Sequence, residues 1–318
     1  MQNERKRRWG GPIKALALAL VVFFWFIYLR ENWREIRDLQ WSIEWPATAK
    51  AAVLFLSGYL LLGVLWAPLH YEFTGVRLGV LQAFRISALA WMGRYIPGKV
   101  WALLGKVTMT SGGQPHVIQT GVAATVETLW FEASGILLAV ILFPFTGPIQ
   151  ALPIGSWLLL IVFLAGALIV VHPAVFCPLV NQLLKWLRRP PLGHRPRYGA
   201  LLLFTVGYMG TFLLWGTAFT VLARSVTTLG LSDLPLMTAI FSVCWVIGFL
   251  TFLAPAGLGV RESALALALQ PFVPSQGTVI MLAVGSRLLT TLVEMLCLLL
   301  ALAITYLTPK PNPPTPAA

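Results

Sequence analysis

Apolar residues run along this chain in long blocks, and most polar residues fall between them. Six blocks, at 13–29, 47–69, 117–143, 155–171, 198–222 and 279–307, are long enough as helices to cross about 30 Å of hydrocarbon. Two more, at 79–91 and 236–253, run into breaks. The first meets GRYIPGKVWALLGKV at 93–107 and the second APAGLGVRES at 254–263. Proline lacks an amide and clashes with the preceding turn, and glycine costs helix free energy, so a helix should stop at each.

Charge placement decides how the two broken runs are used. If all eight runs cross, the stretch NQLLKWLRRPPLGHRPR, with Lys185, Arg188, Arg189, Arg195 and Arg197, falls outside the cell. That opposes the tendency of cytoplasmic loops to carry lysine and arginine. If each broken run instead enters, turns at its Pro/Gly element and leaves by the same face, this loop, the basic N-terminus, Arg77, Lys106 and Lys310 all lie inside. Arg30, Arg34, Arg37 and Arg224 then lie outside, the first three beside acids.

The expected fold is therefore an all-α integral membrane protein with six full transmembrane helices and two Pro/Gly-broken re-entrant hairpins. It would be multi-pass in the plasma (inner) membrane, with both termini cytoplasmic. Residues 1–12 form a basic N-terminus, 13–307 the membrane domain, and 308–318 a disordered proline-rich tail. The first run, with no small-residue cleavage site after it, is expected to be a retained anchor.

The pattern also repeats. Run 47–69, hairpin 79–110 and run 117–143 match run 198–222, hairpin 236–269 and run 279–307, the second set starting from the opposite face. PGKVWALLGK and PAGLGVRESALAL each give a Pro/Gly break, a cation and a short apolar helix. Corresponding interrupted segments in two halves point to an inverted-repeat transporter with a midplane site. The alternative is two unrelated loop turns.

Composition narrows the class. Of 318 residues 58% are hydrophobic and 11% charged, against about 25% charged in soluble domains. The net charge of +12 sits in short flanks of apolar runs, which argues for membrane orientation and against nucleic acid. Cys177, Cys244 and Cys297 stand apart in apolar surroundings and read as buried thiols. No HExxH, GxSxG or Walker pattern occurs, and Asp38 and Asp233 are the sole aspartates. No catalytic residue, metal or cofactor is expected. His172-Pro173 reads as a helix-end device.

Charges inside apolar runs are costly unless paired or hydrated, and this chain has several. Glu127 and Glu132 stand in one run, five apart and so about 140° around a helix; Arg287 and Glu294 share one face of the last. Arg94, Lys99 and Lys106 flank the first break, and Arg261 and Glu262 follow the second. These charges could pair structurally, Lys99 with Glu127 for example, or line a hydrated path for a charged substrate. A half-helix beginning after Pro97-Gly98 would aim free amides and a positive dipole end at an anion such as phosphate. Lys99, Arg94 and Arg261 would add charge. Trp91, Tyr95 and Trp101 suit a lipid's glycerol region or, equally, an ordinary membrane interface.

GRYIPGKVW, VETLWFE, His172-Pro173, LAPAGLGVRESAL and SRLLTTLVE together resemble the lysylphosphatidylglycerol synthase transmembrane-region family, the flippase-like integral membrane proteins, over residues 13–307. The resemblance implies functional roles for Arg94, Pro97, Gly98, Glu127, Gly257, Gly259, Arg261, Glu262, Arg287 and Glu294. The synthases of that family append a soluble aminoacyl-transferase domain, which the sequence to Ala318 lacks. The expected function is a flippase or transporter moving an anionic phospholipid or a polyprenyl-phosphate-linked lipid between leaflets. Expected partners are the bilayer, a second copy or a separate synthase. The alternatives are a non-transporting scaffold for an envelope synthesis enzyme, and a membrane transferase.

Overall fold

The computed structural model describes residues 44–96, 100–111, 117–146, 172–186, 191–192, 195–251 and 255–307, with Arg30 and Gly166. The expected runs at 13–29 and 155–171, the basic N-terminus, the 308–318 tail, and Pro97, Gly98 and Lys99 lie outside the described residues.

The regular elements among the described residues are all helical. They are α1 (Trp45–Thr74), α2 (Val80–Trp91), α3 (Val100–Ser111), α4 (Val117–Leu142), α5 (Pro173–Trp186), α6 (Tyr198–Val226), α7 (Leu234–Leu250), α8 (Val260–Leu269) and α9 (Gln276–Leu307). Short 3₁₀ turns at Met92–Tyr95 and Pro255–Gly257 stand at the two sequence breaks. Five helical stretches are long and apolar enough to cross a membrane: Trp45–Thr74, Val117–Phe145, Tyr198–Val226, Leu231–Leu250 and Gln276–Leu307.

Four of these coincide with expected full spans. The fifth, Leu231–Leu250, was expected only as the first arm of a hairpin, yet its 20 residues reach about 30 Å. The other hairpin elements are short. The 12 residues each of α2 and α3 reach about 18 Å, and the 10 of α8 about 15 Å.

The centre of the fold is the antiparallel pair α1 and α6. Trp215 Nε1 donates to Phe55 O (3.1 Å), Gly207 lies against Leu65, and Arg197 at the start of α6 grips Glu72 at the end of α1 (Nη2–Oε1 2.6 Å). Contacts that climb one helix descend the other. Around this pair an aromatic cluster fills the core, with Trp215 against Trp245 (ring centroids 4.4 Å) and Phe131 stacked on Phe212 (4.6 Å).

The packing has a hidden exchange symmetry. Helix α1 touches α2, α4, α6 and α9; α2 also touches α3 and α9; α4 touches α3, α6 and α7; α7 touches α6 and α8; and α9 touches α6 and α8. Exchanging α1 with α6, α2 with α7, α3 with α8 and α4 with α9 leaves that set of pairs unchanged.

Three contacts surround the first broken segment. His70 near the end of α1 meets Thr120 near the start of α4 (Nε2···Oγ1 3.2 Å), so those helix ends lie together. Between them, Tyr95 at the tip of the α2–α3 segment reaches Glu294 (2.5 Å), well inside α9, and Tyr59 from mid-α1 donates to the same carboxylate.

One stretch departs from expectation. The basic stretch 181–197 is expected as a loop, and its first six residues instead complete the 14-residue helix α5. His172 and Pro173 start it as expected: His172 Nδ1 accepts from the Ala174 amide (3.2 Å), and Pro173 takes the first helical position, where its missing amide costs nothing. Phe176 packs edge-on against Phe73 and Trp130, while Leu179 and Trp186 face outward. Cys177, Cys244 and Cys297 are buried.

Candidate functional site

Both breaks converge on one cavity of about 360 Å³, near the lower end of the range of small-molecule sites. Its wall carries Arg94, Lys106, Glu127, Glu132, Arg261 and Arg287, set among apolar side chains such as Leu62, Trp91, Phe131 and Trp245.

Arg94 closes the 3₁₀ turn after α2 and holds Glu294 of α9 (Nη2–Oε1 2.8 Å). Tyr59 and Tyr95 each donate a hydroxyl to the same carboxylate. Glu294 is 1% exposed, and a charge so deep is held by two hydroxyl donors and an adjacent guanidinium. The Arg94 guanidinium also lies 5.9 Å from the ring centres of Tyr59 and Trp245. The network ties the first break to the last helix.

Lys106 of α3 pairs with Glu127 of α4, and both are buried. Its ammonium sits 4.2 Å above the Trp66 ring. Structural pairing was one of two expected uses of these charges, with Lys99 and Glu127 as the example; Lys99 lies outside the described residues, and Lys106 is the cation found beside Glu127. The reason is helical phase. Helix α3 starts at Val100, and Lys106, in its second turn, lies on the side that packs against α4. The first turn of α3 borders the cavity through Val100 and Ala102.

The second break is built on left-handed backbone. Ala256 (φ 51°), Gly257 (70°) and Gly259 (81°) turn the chain sharply, and a Cβ on Gly257 would stand 2.6 Å from Gly248 O. Only glycine fits both demands. Glu262, three residues into the next helix, accepts from the Gly259 amide (Oε2 2.6 Å) and so caps α8. Its other oxygen lies 3.5 Å from Arg287 Nε. Arg287 Nη2 in turn donates to Ala256 O (3.3 Å).

Arg261 is held differently. Its guanidinium lies over the faces of Trp245 (4.3 Å) and Phe241 (4.9 Å) and is 4% exposed. Among the described residues no carboxylate forms an ion pair with it, and its Nη2 makes no hydrogen bond.

Of the expected site residues, Arg94, Glu127, Arg261 and Arg287 share the cavity wall, with Glu262 and Glu294 one layer behind. Gly257 and Gly259 shape the second break; Pro97, Gly98 and Lys99 lie outside the described residues. Tyr59 was missed as a ligand of Glu294, although a lone tyrosine inside VLFLSGYLLLG was a signal. Glu127 and Glu132, 140° apart, nonetheless border the same cavity because it wraps around α4.

The mouth lies between α3 and α4, where Val100 and Leu129 line the cavity and are also exposed at 49% and 61%. Leu129 is at the midpoint of α4, and Thr125 and Thr128, also exposed on the wall, donate their hydroxyls to Gly121 O and Ala124 O of their own helix, so the rim is mostly apolar and stands at mid-helix. The arrangement can hold an anion at a cationic wall and an apolar group at the mouth. Among the described residues no group of three or more His, Cys, Asp or Glu is placed to hold a metal ion. Comparison of the chain with family models, curated proteins and solved structures gave no match.

Proposed function

We propose that this chain is a lipid flippase or transporter that moves an anionic, phosphate-bearing lipid between leaflets without changing it chemically. The observation that carries this reading is the cavity itself. Among the described residues four basic side chains from both halves converge in it, and its mouth opens sideways, through a mostly apolar rim, at the middle of a helix long and apolar enough to span a membrane. A headgroup would meet the basic wall while its tails stay among the exposed apolar residues of α3 and α4.

In this reading α2–α3 and α7–α8 are re-entrant hairpins, and α1–α4 and α6–α9 are an inverted repeat. The antiparallel α1–α6 pair, the exchange symmetry and the His70–Thr120 contact support it. The setting is a plasma membrane with both termini cytoplasmic, and the relationship is to the lysylphosphatidylglycerol synthase transmembrane-region family.

Purified full-length chain in vesicles carrying a panel of labelled anionic and zwitterionic lipids tests the function. The expected result is transbilayer movement of an anionic lipid recovered intact. A chemically altered lipid would replace this reading with a transferase, and neither movement nor alteration would leave the scaffold.

A further inference from the structure

We infer that the cavity selects a lipid headgroup bearing a single negative charge on a phosphodiester, with Arg261 as the side chain that contacts it. This rests on the lipid-carrier reading above. Among the described residues, three of the four cations on the cavity wall have a carboxylate: Arg94 has Glu294, Lys106 has Glu127 and Arg287 has Glu262. Among the described residues Arg261 has none, and its Nη2 is buried without an acceptor.

The geometry around Arg261 leaves it ready for an anion. Trp245 and Phe241 engage the face of the guanidinium, which leaves the in-plane N–H groups free to make a forked contact with two oxygens. Arg94 Nε, on the same cavity wall, is also buried without a hydrogen-bond acceptor among the described residues. A phosphodiester has two non-bridging oxygens sharing one charge, which matches a guanidinium fork and leaves lone pairs for neighbouring donors.

Charge balance argues against a more highly charged headgroup. A diphosphate calls for further cations, and among the described residues the other three on the wall are paired with Glu294, Glu127 and Glu262. It would also bring its extra charge toward Glu127 and Glu132 on the same wall, in a poorly hydrated space where like charges repel strongly. A free phosphate ion would leave the apolar part of the cavity and its rim without a ligand group.

The test measures binding to the purified full chain in detergent, with phosphatidylglycerol, phosphatidylcholine, a polyprenyl diphosphate and inorganic phosphate as probes. Wild type, Arg261→Gln and Arg261→Lys are compared, each with a thermal melt. Wild type should bind phosphatidylglycerol more tightly than the other three. Arg261→Gln should weaken that binding roughly tenfold or more, and Arg261→Lys should recover part of it. A diphosphate or free phosphate that binds more tightly than phosphatidylglycerol overturns the charge selection, as does a folded Arg261→Gln with wild-type affinity; the carrier reading survives either. If no anionic lipid outbinds phosphatidylcholine, the carrier reading falls and this inference with it. Should Arg261→Gln fail to fold, the wild-type ranking decides.

Discussion

The two halves of the molecule, α1–α4 and α6–α9, pack through the same set of helix pairs and hold their charges in opposite ways. In the first, the short helix carries the cation and the long one the acid, Lys106 against Glu127. In the second, the short helix carries the acid and the long one the cation, Glu262 against Arg287. The breaks differ as well. The first is fastened to α9 through side chains, by Arg94 and Tyr95 on Glu294. The second is fastened through backbone, by Glu262 on the Gly259 amide, Arg287 on Ala256 O and the close approach of Gly257 to Gly248. Apolar packing can repeat a shape while the charges diverge, because shape asks only for volume and pattern.

The sharpest way to break this comparison is to unpair one half. Lys106→Ala leaves Glu127 buried without its partner and should cost about 3–5 kcal/mol. Lys106→Ala with Glu127→Ala should recover most of it, as read by thermal unfolding in detergent. A single variant as stable as wild type would mean that the pair does not hold α3 on α4.

Next come the tyrosines. Tyr59→Phe removes one donor from the buried Glu294 carboxylate and should cost about 1.5–3 kcal/mol. Hydrogen exchange should rise at 92–96 and stay unchanged at 255–259. A rise at both breaks would remove the distinction between them.

Gly257→Ala gives the converse. The added Cβ meets Gly248 backbone in a left-handed conformation, so about 1–3 kcal/mol should be lost, with exchange rising at 255–259 alone.

The smallest effect belongs to the end of the α1–α6 pair. Glu72 beside Arg197 holds that guanidinium's pKa above its ordinary value, a contribution present below the ordinary arginine range and lost only as pH climbs beyond it. The arginine therefore adds no pH dependence between about pH 5 and 9. Its side chain is 77% exposed, and Arg197→Ala keeps the backbone amide that donates to the buried Glu72 carboxylate (3.0 Å), so the melting temperature should shift little. A large drop would make this contact a principal lock of the fold.

The long helices were legible in the sequence because an apolar run of membrane length admits few other fates. Of the six runs, four reappear within a few residues, and the other two lie outside the described residues. Helix α5 was not legible, because a search for spans passes over apolar positions spaced three and four apart, such as Phe176, Leu179 and Val180. At the site, Arg94, Glu127, Arg261, Arg287 and Glu294 stood out as charges in apolar surroundings. Their partners did not. That Glu127 takes Lys106, and that Glu294 takes a tyrosine from α1, depends on the phase of helices whose starts were unknown and on contacts spanning up to 235 positions.

The most direct test asks whether lipid passes through the cavity. Thr128 lines it and is exposed at its mouth, while Cys177, Cys244 and Cys297 are buried. Thr128→Cys is reconstituted in vesicles, and movement of labelled phosphatidylglycerol is followed before and after reaction with a bulky maleimide. The account predicts near wild-type movement before labelling and arrest after it. Movement at an undiminished rate in the fully labelled protein would contradict it.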